Sequence, residues 1–253
     1  MMVRTLSLEI DKGRVMRVDD YEFAVMIGGK PVKESSDRES GVVWIPAVKG
    51  QEFDLVVQNR SDDRIEAVIS VDGLSVMNGR PGSLRTRGYV LNDGSHLMIP
   101  GWRVDDETVA RFAFGSVSEG YAARMGFTPR NIGVIACAVF AEAPPPAAYK
   151  VADGDGEVEV LDQIDAAPEV LFHTTEPVVE KVRRKRPRPQ KTHTDDVSVV
   201  FGRRDRHPVT PVEFDRASDE PEAIFEIRYD TIHGLRTRGI GCMPPPGWSG
   251  HRR

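Results

Sequence analysis

Apolar and polar residues alternate with a period of two along short runs in the first half of the chain. Residues 5–10 (Thr-Leu-Ser-Leu-Glu-Ile) alternate without a break, and residues 52–58 (Glu-Phe-Asp-Leu-Val-Val-Gln) alternate around a continuous apolar centre. A strand points successive side chains to opposite faces, so this period predicts half-buried strands. A third run, residues 64–71, follows the turn formers Asn59-Arg-Ser-Asp-Asp63, and this spacing predicts a hairpin with residues 52–58. Further strands are expected at 21–27, 42–45, 96–99, 109–114 and 132–140. Turn signals separate them at Gly28-Gly29, Asp72-Gly73, Asn78-Gly79, Pro81-Gly82, Asn92-Asp-Gly94 and Pro100-Gly101.

Residues 132–140 are too continuously apolar for a half-exposed strand. They read as the central core strand, with Gly133 allowing a close backbone approach. A period of 3.6 is nearly absent. The one helix expected in this half covers residues 116–125, capped by Ser116 or Ser118, with Tyr121, Ala122 and Met125 on one face. The pattern as a whole predicts a mainly β fold, with an antiparallel β-sandwich or jelly-roll-like domain over residues 1–141.

The pattern changes after residue 141. Ala141-Glu-Ala-Pro-Pro-Pro-Ala-Ala148 is a stiff, extended exit. Residues 151–180 then hold nine acidic residues and no lysine or arginine, while residues 181–191 hold seven cations. An acidic block followed by a basic block, both poor in aromatic residues, is hard to pack, so residues 142–195 read as an extended linker, with one strand at 156–161. Residues 196–253 read as a small C-terminal extension. It would hold strands at 196–202, 209–214 and 223–229, then a short helix over 230–238 capped by Asp230 and stopped by Gly239.

Composition narrows the class. A chain of 253 residues with 40% hydrophobic and 29% charged residues has material for a core. The net charge of −5 speaks against binding a polyanion over the whole surface. Two distant cysteines exclude a disulfide framework, and Cys137, inside the core run, reads as a small buried hydrophobe. The first ten residues show no apolar leader region, and no run approaches the ~18 apolar residues of a membrane helix. The expectation is therefore a protein without membrane attachment, cytoplasmic on synthesis, with a particle as a further destination.

Two groups of motifs carry a resemblance. The first joins Gly88-Tyr-Val-Leu91, Ile99-Pro-Gly-Trp-Arg-Val-Asp-Asp106, residues 109–117, Tyr121-Ala-Ala-Arg124 and residues 131–140. The second joins Phe201-Gly-Arg-Arg204, Pro211-Val-Glu-Phe-Asp-Arg216 and Ile227-Arg-Tyr-Asp230. Together, over about a third of the chain, they resemble a group of uncharacterised bacterial and phage-associated proteins of similar length. That resemblance implies a module with a shared plan, and it transfers no activity and no functional residue.

No cofactor or metal signature emerges. The phosphate-loop patterns are absent, and Gly115-Ser-Val-Ser-Glu-Gly120 lacks the lysine that would neutralise a phosphate. A G-x-S-x-G elbow is absent, and the six histidines are scattered singly. Asp153-Gly-Asp-Gly-Glu157 departs from a calcium loop at its sixth position, Val158. The strongest local charge is Lys181, Arg183, Arg184, Lys185, Arg186, Arg188 and Lys191, a candidate contact for an anionic partner such as nucleic acid, with no aromatic residue for base stacking. Ile224, Phe225, Ile227 and Leu235 need cover, either from the chain's own sandwich or from a neighbouring subunit.

These features rank three functions. First stands a non-catalytic structural or binding module in an assembly, such as a virion or particle component, self-associating or bound to another protein. A sugar-binding or hydrolytic β-sandwich follows by fold analogy. A nucleic-acid-associated protein using the basic run comes third.

Overall fold

The computed structural model describes residues 15–37, 40–121, 131–144 and 197–247. Along the chain the first strands are β1 (Met16–Val18), β2 (Tyr21–Ile27), β3 (Lys30–Pro31), β4 (Ser35–Ser36), β5 (Val43–Ala47), β6 (Glu52–Asn59), β7 (Ile65–Val71) and β8 (Leu74–Ser75). There follow β9 (Tyr89–Leu91), β10 (His96–Ile99), β11 (Gly101–Arg103), β12 (Thr108–Gly115), β13 (Val134–Ala141), β14 (Ser198–Arg206) and β15 (Ala223–Thr231), then helix α1 (Ile232–Thr237). No helix among the described residues is long and apolar enough to cross a membrane.

The strands form two sheets. One runs β1-β2-β6-β12-β11, with β3, β10 and β14 attached to β2, β6 and β12; the other runs β4-β5-β15-β13-β7-β8, with β9 attached to β7. Pairing is antiparallel except between β15 and β5, which run parallel. The inward positions of both sheets share one core: Phe23, Phe53 and Leu55 from the first, Ile69, Ile135 and Phe225 from the second. Aromatic rings meet across it, with Phe23 5.8 Å from Phe225 and Phe114 5.1 Å from Tyr229, at the tilted geometries such pairs prefer. The fold is thus mainly β and sandwich-like.

β13 lies between β7 and β15, so residues 132–140 do hold the central strand of their sheet. The expected hairpin of residues 52–58 with 64–71 does not form. β6 belongs to the first sheet and β7 to the second, and the five residues between them make a corner. Asn59 shapes it: its buried amide nitrogen donates to the Asp63 and Asn92 carbonyls at 2.7 and 3.0 Å, while its oxygen accepts from the Ser61 N–H. Those bonds turn the chain across the core instead of back alongside β6.

The segment read as a C-terminal extension is built into both sheets. β14 pairs with β12 along its length, and β15 sits between β13 and β5. Its alternation is clean, with Ala223, Phe225, Ile227 and Tyr229 buried and Ile224 and Glu226 exposed. The described residues up to Pro144 and those from Val197 onward belong to one compact unit. A fragment ending at residue 141 would lose a strand from the middle of a sheet. Residues 209–214 have no regular structure.

The local helix expectations change in detail. α1 is capped by Thr231, whose hydroxyl accepts from the Gly234 N–H; Asp230 instead accepts from the Thr231 N–H and from Arg238 Nε. Residues 117–119 make a 3₁₀ turn in which Ser116 makes no capping bond to a backbone N–H. The predicted strands at 5–10 and 156–161, residues 122–125 of the expected helix and the acidic and basic blocks lie outside the described residues.

Near the start of the described chain, Glu34 Oε1 accepts from the Met16 N–H at 3.1 Å. Burial raises its carboxyl from 4.5 to about 7, against the lowering effect of that bond. The folded chain therefore keeps this proton to higher pH than the unfolded chain does. The resulting stabilisation is complete below pH 4.5 and is lost as pH rises through about 7. Glu34→Gln should stabilise the protein by about 1–2 kcal/mol at pH 8 and change it little at pH 4. Urea unfolding at the two pH values checks this; a gain of equal size at both would refute it.

Candidate functional site

Three constellations of polar side chains are pinned inside the fold. The first grows from the Asp72-Gly73 turn between β7 and β8. Both residues are left-handed (φ 51° and 77°), the conformation a two-residue hairpin turn of this kind needs. This backbone turns the Asp72 side chain inward. Oδ1 accepts from the Gly133 N–H at 2.9 Å and the Tyr229 hydroxyl at 2.5 Å; Oδ2 accepts from the Ser198 hydroxyl and the Val199 N–H, both at 2.8 Å. One carboxylate thereby ties β7 to β14 and β15 and to the residue before β13. Burial raises the Asp72 pKa, with the four donors opposing, and burial with the adjacent carboxylate drives the Tyr229 phenol well above its usual value.

The second is a clamp on the outer side of β7. Glu66 accepts from the Gly88 N–H and from Arg216 Nε, both at 2.6 Å. Arg216 also donates to the Leu84 and Thr86 carbonyls, and its guanidinium lies 3.8 Å over the Phe140 ring. Gly88 is required here, because a Cβ would stand 2.2 Å from the Ala67 carbonyl oxygen.

The third lines a cleft of about 840 Å³ between β9, β11 and residues 209–215, with Glu66, Arg87, Tyr89, Arg103, Asp106 and Phe214 on its walls. Arg103 Nη1 donates to the His207 carbonyl at 2.7 Å, and Nη2 to the Tyr89 hydroxyl at 3.2 Å and to His207 Nδ1 at 2.9 Å. A guanidinium only donates, so His207 Nδ1 accepts and Nε2–H donates to the Met98 carbonyl at 3.0 Å. Burial, then the Arg103 charge, lowers the His207 pKa; burial raises that of Tyr89. Both ring nitrogens of His207 are engaged, which leaves neither free to take a proton from a ligand in the cleft. The arrangement can hold a ligand by shape and by the walls' exposed groups.

Of the residues singled out in the sequence, Lys181, Arg183, Arg184, Lys185, Arg186, Arg188 and Lys191 lie outside the described residues. Phe225, Ile227 and Leu235 are fully buried within the chain itself, leaving Ile224, 60% exposed, as the one of that set open to a neighbour. Cys137 is buried with its thiol pushed up by burial, as expected of a small core residue, and Cys242 is likewise free. Among the described residues no group of three or more His, Cys, Asp or Glu stands close enough to hold a metal ion. Asp72, Glu66, Arg103, His207 and Arg216 carry no site signal in the sequence. Asp72 showed in the sequence only as a turn former, and Arg103 and Arg216 only as members of the quoted motifs. Comparison with known protein families, with curated proteins and with solved structures returns no match.

Proposed function

We propose that this protein is a non-catalytic binding module that acts in an assembly, meeting a second copy of itself through the outer face of the sheet that holds β13. The observation that carries this reading is an apolar row across that face. The register sets Val68, Ala138 and Ile224 side by side on β7, β13 and β15; Val68 and Ala138 are already buried, and Ile224 is 60% exposed. Leu84, 46% exposed, stands beside a shallow groove over this row. Charged pairs rim it, Glu66 with Arg216 and Glu226 with Arg228. An apolar centre inside a polar rim is the anatomy of a protein interface. The patch is small, and a two-fold contact uses the same patch twice, which suits a second copy.

A virion or other particle is the setting this reading favours. The inward-turned bonds of Arg103 and His207 support a binding role over a hydrolytic one.

Light scattering on the full chain tests it. The wild type should show a multiple of 28.1 kDa at tens of micromolar, and Ile224→Glu should shift it toward the single-chain mass without lowering the melting temperature. A wild type that stays monomeric, or an assembly indifferent to Ile224→Glu, would overturn the reading.

A further inference from the structure

Most arginines among the described residues are paired. Among the described residues nine stand within 4.0 Å of a carboxylate. Arg80, Arg85 and Arg87 are three of the six described arginines that do not, and these three belong to one loop. From Gly73 to Asn92 the chain has no Asp or Glu, although it carries 39 elsewhere. The same three arginines line a pocket of about 450 Å³, together with Asn78, Ser83 and Thr86, and no carboxylate lines it.

We propose that the loop of residues 76–88 is a binding site for a small phosphate- or sulfate-bearing ligand, with Arg80, Arg85 and Arg87 converging on the oxyanion. The site borders the apolar row, since the same loop carries Leu84 and Ser83 lines both pockets, but its charge chemistry does not rest on the assembly reading.

Three features support it. The first is charge: three guanidiniums without counter-ions repel one another, and an anion bound between them relieves that repulsion. Each guanidinium also offers forked N–H donors whose spacing matches two oxygens of one phosphate. The net charge of −5 gives the protein as a whole no general attraction for anions, so a cationic patch here acts locally.

The second is a loop held in place before any ligand arrives. Ser75 N–H donates to the Arg80 carbonyl and Gly82 N–H to the Gly73 carbonyl, both at 2.8 Å. The Arg80 N–H reaches Asn78 Oδ1 at 3.0 Å, and the Arg85 N–H reaches Ser83 Oγ at 3.2 Å. Farther along, Arg216 takes up the Leu84 and Thr86 carbonyls and Glu66 takes up the Gly88 N–H, so the backbone between the arginines is anchored by β7 and by the segment between β14 and β15. A preorganised loop lowers the ordering cost of binding, which leaves mainly the arginine side chains to be fixed.

The third is donor chemistry beyond charge. Ser83 and Thr86 supply hydroxyls and Asn78 an amide, groups that hydrogen-bond phosphate or sulfate oxygens and sort them from a halide ion. Arg87 also lines the larger cleft beside Tyr89 and Arg103. A ligand anchored by its oxyanion in the loop can therefore extend its remaining body into that cleft.

The test uses the full chain at low ionic strength. Tripolyphosphate, inorganic phosphate and sulfate are titrated calorimetrically, each against chloride at matched ionic strength, into the wild type, R85Q/R87Q and R204Q. Arg85 and Arg87 are exposed and unpaired, so the double variant should melt with the wild type. Saturable binding to the wild type is expected, weakened by about tenfold or more in R85Q/R87Q and by less than about twofold in R204Q. The phosphate and sulfate arms identify which oxyanion the pocket prefers. The same ligand should slow amide exchange in residues 78–88. Binding that survives unchanged in R85Q/R87Q would belong elsewhere, such as the cations of residues 181–191, and would overturn the proposal. An absence of saturable binding to the wild type would overturn it equally.

Discussion

Ile135→Asp should leave the protein unfolded at 25 °C, while Asp63→Ala should keep its stability within about 0.5 kcal/mol of the wild type. Ile135 has no exposed surface and lies on β13 opposite Ile227 on one side and Val71 on the other. The substitution removes a packed side chain, worth about 2–5 kcal/mol, and sets a carboxylate where no cation stands to meet it. Together these approach or exceed the ~5–15 kcal/mol by which a domain is stable. Asp63 is exposed in the corner after β6. What the corner uses from it is its backbone carbonyl, the acceptor for Asn59 Nδ2, and alanine keeps that carbonyl. Circular dichroism and urea titration of both variants measure the contrast. Equal stabilities would show that the core does not centre on β13.

Asp72→Ala should cost about 3–5 kcal/mol, the second largest effect, although it removes one small side chain from a turn. The loss falls on the partners. The Gly133 and Val199 N–H groups and the Ser198 and Tyr229 hydroxyls all donate to this carboxylate. Tyr229 and Ser198 are completely buried, so water does not readily replace the acceptor. Asp72→Asn should fall between, at about 2 kcal/mol: its amide oxygen still serves two donors, while its NH₂ group faces the donors on the other side. Urea unfolding gives the ordering, and faster amide exchange at Gly133 and Val199 in Asp72→Ala would place the damage at the junction. A loss below about 1 kcal/mol for Asp72→Ala would mean that the four bonds do not act as a structural knot.

The clamps join the two groups of motifs, residues 88–140 and 201–230, into one arrangement. Arg216 of the second group reaches Glu66 and the loop before Gly88, where the first group begins. Arg103 of the first group holds the His207 carbonyl, just after β14. The C-terminal part of the chain thus acts as a brace across the first half, and the binding surfaces proposed for the loop of residues 76–88 and the outer sheet face both depend on that brace.

Strand content was legible in the residues themselves. The runs read as strands at 21–27, 52–58, 64–71, 96–99, 109–114, 132–140 and 223–229 all coincide with strands, because the apolar pattern of a strand is a local property. The continuous apolar run marked the central strand for the same reason. Strand partnership was not legible. The corner at Asn59 sends β7 to the opposite sheet, and β15 inserts between β13 and β5, parallel to β5; both outcomes depend on which faces remain to be covered when two sheets close on one core. The polar sites share that limit. Asp72 meets Tyr229 across 157 residues and Glu66 meets Arg216 across 150. In the sequence Asp72 is a turn former and Arg216 a charged residue, since the spacing of neighbours along a chain carries no record of a partner so far away. Only the packed sheets bring such groups together, and burial then makes each bond costly to lose.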